Sequence, residues 1–263
     1  SIKQLTIMPY LPHILGIIYL AMSLCLLNLY KGRDCKIPNT IVYLRMIGLF
    51  LFSLFVFNLA YPFNIFSFVS SLFIILFIIN LFYVVLNYYQ PVDYIGLILN
   101  PIIFLSLLTF ILFDLPNDGT NVEKSLYIHI IFSLSSYGFL FLAGFQAFLL
   151  RYQIKNIKKI HHSTLLNSYP SIEEMGKIML RLLIGGFVLL TLSLLTGMPY
   201  MTDTVDSENI QKIIFSLIAW VTYSYLLFRR SVYGLNDITA ANMTIGGLIF
   251  LILAYLGTKL FIG

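Results

Sequence analysis

The stretch Ile128-His129-Ile130-Ile131-Phe132-Ser133-Leu134-Ser135-Ser136-Tyr137 runs on through Gln146 to Arg151 without a formal charge. The nearest charges before it are Glu123 and Lys124. A helix needs about 20 apolar residues to cross a bilayer, and this run is long enough to do so. Inside it sits one imidazole, with Ser133 one helical turn on and Ser136 and Tyr137 on the turn after. An ionisable ring close to hydrocarbon is costly, so its default reading is functional. An imidazole held by a neighbour such as Ser133, at helical spacing, has its tautomer fixed and its other nitrogen free. The bland alternative is a polar residue near the membrane surface, bonded to Ser133 or to a loop carbonyl.

The rest of the chain supports the membrane reading. Of 263 residues, 59% are hydrophobic and 10% charged, where a soluble domain has roughly a quarter charged. Mean hydropathy is +0.91. Backbone polar groups inside lipid must be satisfied internally, which leaves helices or a closed barrel. The apolar runs here are about 20 residues long, whereas barrel strands alternate over about 10. The expected fold class is therefore an all-α membrane protein. The net charge of +5 lies in loops as membrane anchors and does not point to nucleic acid. Cys25 lies in an apolar run and Cys35 in a basic loop, so neither a disulfide nor a metal site is expected. The first apolar run lacks a charged start and a small-residue cleavage site, and reads as a retained span rather than a leader.

Eight spans follow in order, at about 8–29, 41–60, 65–88, 94–113, 128–150, 178–198, 213–228 and 239–261, forming a single integral membrane domain over 1–263. Pro101 is expected to kink the fourth. Ser171 and Glu174 have the spacing of a capping box ahead of the sixth. With the N-terminus outside, the inner loops collect ten basic residues, among them Arg151, Lys155, Lys158, Lys159, Arg229 and Arg230. The outer segments hold four: Lys3, Lys124, Lys212 and Lys259. That bias places both termini outside, and with them the His129 end of the fifth span, Asn58 and the acidic loop holding Asp203, Asp206 and Glu208. In a bacterium this is the periplasmic face of the inner membrane. Arg45 and Arg181 lie about a turn inside the opposite face and are expected to snorkel to the headgroups.

The string His129-Ile-Ile-Phe-Ser133-Leu-Ser-Ser136-Tyr137 resembles the histidine-bearing helix of the cytochrome c assembly family. Further pieces agree in order: Pro170-Ser171-Ile172-Glu173, Thr191-Leu-Ser-Leu-Leu-Thr196-Gly197, Leu217-Ile-Ala-Trp220 and Ala254-Tyr255-Leu256-Gly257. The chain is most similar to the short, eight-span branch of inner membrane proteins. The resemblance implies haem handling at the outer face, in cytochrome c biogenesis or haem delivery, with His129 as axial ligand to the haem iron. It implies a haem surround that includes Ser133, Ser136, Asn58 and Trp220, and partners among other membrane proteins of cytochrome or haem biogenesis. Three features depart from the family pattern. Residues 203–212 lack the tryptophans of the haem-presenting WWD stretch. Asn58 stands where a second histidine is expected, and Gln211 stands where relatives often carry another.

Read without the family, Asn58 is a helix-exit amide that caps or joins helices, and Trp220 is packing or a ring that stacks on a porphyrin. His161 and His162, beside Lys158 and Lys159, are solvated loop histidines. No catalytic constellation is visible: there is no GxSxG, P-loop or HExxH, and no carboxylate pair within a span. The chain is therefore expected not to be an enzyme. The absence of Asp and Glu from the spans also argues against a proton-coupled pump. The rival expectation is a non-haem scaffold or regulatory accessory protein for a partner transporter or biogenesis enzyme.

Overall fold

Every apolar run in the computed structural model is helical. The structure describes residues 10–31, 39–60, 65–90, 92–113, 120–121, 126–156, 170–200 and 207–260. The helices are α1 (Leu11–Lys31), α2 (Asn39–Ala60), α3 (Phe68–Tyr89), α4 (Asp93–Phe113), α5 (Leu126–Asn156), α6 (Ile172–Gly197), α7 (Ser207–Tyr233) and α8 (Asp237–Leu260). All eight are long and apolar enough to cross a membrane. Extended structure among the described residues is confined to a two-residue antiparallel pair, β1 (Ile65–Phe66) with β2 (Thr120–Asn121), joining Ile65 to Asn121 and Phe66 to Thr120.

The helices outrun the apolar stretches where polar side chains stabilise their ends. Ser171 caps α6 through a capping box with Glu174, and Lys177 bonds Glu173 at 2.6 Å on the exposed first turns. The helix thus starts six residues before the span expected at 178. Conversely α3 starts three residues later than the span expected at 65, because Ser67 forms a capping box with Ser70 and ends the extended segment there. Pro101 lies inside α4, which continues through it.

The chain divides into two packing units, α1–α4 and α5–α8. In the first, α1 packs on α2 and α4, and α3 packs on α2 and α4. Its centre is aromatic: Phe55 and Phe73 meet edge-to-face at 5.1 Å, and Phe110 meets each of them at 5.5 Å. Edge-to-face pairs add specificity where lipid supplies little hydrophobic contrast.

This unit also overturns two expectations. Arg45 does not snorkel; its Nη2 lies 2.6 Å from Asp93 Oδ1, and both side chains are 6% exposed. Nor are the helices free of acids, since α4 begins at the buried Asp93. An isolated charge in a bundle of apolar helices is far more costly than one matched by an opposite charge, and pairing answers that cost where the headgroups do not. Arg181, in the second unit, is exposed.

In the second unit, α5 packs most extensively on α6 and also on α8, while α7 packs on α8 and α6. Small residues set the approach. A Cβ at Gly186 would lie 2.6 Å from the Leu140 side chain, and one at Gly247 would lie 2.5 Å from the Tyr223 ring. Close backbone approach of this kind drives helix association in lipid through van der Waals contact. The short α7–α8 connection turns at Gly234, whose φ of 66° suits glycine.

Candidate functional site

His129 is the fourth residue of α5, and its half-buried ring faces the last turns of α6. Its Nδ1 lies 2.8 Å from the main-chain oxygen of Ser193. A carbonyl oxygen accepts only, so Nδ1 carries the proton and donates. In the neutral tautomer this bond leaves the free lone pair on Nε2, the arrangement found when a carbonyl fixes a ligating histidine. One turn beyond Ser193, Gly197 makes room for the ring: a Cβ there would stand 2.8 Å from His129 Cε1 and 2.9 Å from Nδ1. Its contact to Nε2 would be longer, at 3.7 Å.

The expected role of Ser133 is corrected. Its hydroxyl donates to Ile130 O at 3.0 Å, back along its own helix, and the group that orients His129 comes from α6. Ser136 lies on the α5–α6 seam, buried, donating to Gly186 O at 3.1 Å. Trp220, on α7, donates from Nε1 to Thr191 Oγ1 at 2.9 Å and stacks on Phe187 of α6 at 5.8 Å. Tyr137, two turns on from His129, lies 5.6 Å from the Tyr255 ring of α8. Thus His129, Ser136 and Trp220 all engage α6, at Ser193, Gly186 and Thr191. Asn58 belongs to the first unit, exposed near the end of α2. Gln211 is half-buried on α7. His161, His162, Asp203, Asp206 and Cys35 lie outside the described residues, and Cys25 is an exposed free thiol on α1.

Two contributors to the site were not singled out from the residues alone. Ser193 acts through its backbone, which side-chain spacing does not reveal. Gly197 acts by lacking a side chain; its place one turn after residue 193 is legible only once the partner helix is known. His129 could hold haem iron through Nε2, the nitrogen left with a lone pair, while Nδ1 stays anchored to Ser193 O.

The profile of the family described as "Cytochrome C assembly protein" matches residues 39–263. Among curated proteins, "Inner membrane protein YpjD" of Escherichia coli K12 is 32% identical over 177 residues, covering 63% of this chain and 64% of that protein. The proteins of the same name from the O6:H1 and O157:H7 strains match to the same extent. The chain thus spans less than two thirds of the length of these relatives. No solved structure matches it significantly. With eight helices able to cross a bilayer and an inner-membrane relative, it is a multi-pass inner membrane protein. Through a match covering six-sevenths of its length, this chain belongs to the cytochrome c assembly protein family.

Proposed function

We propose that this chain is a haem-handling protein of the cytochrome c assembly type, acting at the periplasmic leaflet, with His129 Nε2 as an axial ligand. The observation that carries the reading is the 2.8 Å bond from His129 Nδ1 to Ser193 O, which leaves the lone pair on Nε2. Family membership supports the cofactor class. The bias of basic residues supports an arrangement with both termini outside, so that the His129 end of α5 faces the periplasm. When bound, haem supplies a redox-active iron whose properties depend on axial ligand, local polarity and solvent access. The protein supplies a neutral imidazole anchored from behind and the α5–α6 seam tied by Ser136. It also supplies the Trp220–Phe187 pair as apolar aromatic surface. The chain works by binding and passing haem to membrane proteins of cytochrome or haem biogenesis rather than by catalysis.

The test is the visible spectrum of the purified protein in detergent, with and without added haemin, repeated for His129→Ala. A Soret band that is lost in the variant supports the assignment. A band that survives unchanged removes His129 from the iron.

A second reading is a non-haem scaffold or regulator of a partner membrane protein. The observation favouring it is the tryptophan-free stretch 203–212 together with Asn58 where the family expects histidine. Absence of any haem-dependent band in the same experiment selects this reading.

A further inference from the structure

The first unit contains a charged cluster independent of His129. Arg45 on α2 pairs with Asp93 on α4 at 2.6 Å, and its guanidinium carbon lies 5.1 Å from the ring centre of Tyr83 on α3. Arg45 is 5% exposed, Asp93 4% and Tyr83 0%. Close by, Asn80 donates from Nδ2 to the Tyr19 hydroxyl at 2.5 Å. Helices α2, α3 and α4 therefore contribute to one polar core.

Two polar atoms in it have no hydrogen-bond partner among the described residues: Arg45 Nε and the Tyr83 hydroxyl, each with essentially no exposed surface. Buried polar atoms in native proteins are almost always bonded, and inside a bilayer no bulk water competes to satisfy them. The Tyr83 hydroxyl abuts Gly96 of α4, where any Cβ would collide with it. Glycine there gives this end of the ring the space that a side chain would fill. The groups present match the bonding capacity of one water: the Arg45 Nε–H and the phenol can donate to it, and the Asp93 carboxylate can accept from it. A buried water usually makes about three such bonds. An anion is disfavoured by Asp93 and a cation by Arg45, so the ligand class is neutral and small.

We propose that the first unit holds a resident water between Arg45, Tyr83 and Asp93, which completes the hydrogen bonding of a membrane-embedded ion pair. Two measurements on the full-length protein in lipid nanodiscs test it. Synchrotron radiolysis generates hydroxyl radicals from bound water as well as bulk water. Tyr83 is expected to be oxidised several-fold faster than Tyr94 and Phe52, which are equally buried in the same unit. Oxidation at the rate of those two residues overturns the site. Tyr83→Phe gives the second readout through the sign of its effect. Deleting a hydroxyl that has no partner relieves its desolvation cost, whereas deleting one bonded to water leaves Arg45 Nε less well satisfied. A fall in Tm of a few degrees is expected. An unchanged or raised Tm is incompatible with a bridging water.

Discussion

Gly197 and the His129 ring are in direct contact: a single added methyl at residue 197 would come within 2.8 Å of Cε1. The imidazole is thus seated on bare α6 backbone, one turn from the carbonyl that bonds it. Replacing Gly197 by Ala must shift the ring, and with it the Nδ1–Ser193 bond. Loss of an orienting partner typically weakens ligation about 10- to 100-fold. Gly197→Ala is expected to reduce haemin affinity by about tenfold or more, measured by Soret titration, while the helical circular dichroism stays unchanged.

Trp220 is the chain's sole tryptophan and therefore a clean fluorescent reporter. It belongs to the same four-helix unit as His129 and bonds the helix that orients the imidazole. Haemin is expected to quench its emission in the wild type and to lose that effect in His129→Ala. Equal quenching in both proteins would show adsorption elsewhere.

The Arg45–Asp93 pair sets a test of the first unit alone. Removing one partner leaves a buried charge unmatched, which costs about 3–5 kcal/mol. Asp93→Asn should therefore lower the unfolding midpoint sharply. Arg45→Met combined with Asp93→Leu should recover much of the loss, because an apolar replacement of both partners carries no unpaired charge. Thermal unfolding in detergent reads both, and a double variant as unstable as the single one would count against simple charge pairing.

The α5–α6 seam separates hydrogen bonding from packing. Ser136→Ala removes the bond to Gly186 O, at a cost of about 0.6 kcal/mol by comparison with other membrane helices. Gly186→Val instead drives side-chain atoms into Leu140 and should cost about 1–3 kcal/mol. If the serine variant proves the more damaging, the seam is held by hydrogen bonding rather than by close approach.

Orientation is measurable by thiol labelling. Ser231 is exposed at the end of α7, beside Arg229 and Arg230. In a background with Cys25 and Cys35 replaced, Ser231→Cys should react with an impermeant maleimide only after the membrane is opened. Labelling of intact cells would reverse the orientation drawn from basic residues.

The sequence was sufficient to specify eight helices in a membrane. Twenty-residue apolar runs have no other stable form in lipid, and the Ser171–Glu174 spacing marked a helix start that the structure contains. It also singled out His129 as an imidazole in an apolar helix. What surrounds that ring was a tertiary matter. Ser133 sat at the right spacing to bond it, yet the backbone of α6 does so, because an intrahelical carbonyl takes the serine proton and a helix packed close by offers a better-placed acceptor. The same holds for Arg45, whose sequence position one turn inside a span suggested the headgroups. Only the packing of α2 against its neighbours brought Asp93 within 2.6 Å. Periodicity and composition govern which segments enter the bilayer, since that depends on each helix alone. Which polar groups find one another depends on how helices far apart in the chain are packed, and that is decided in three dimensions.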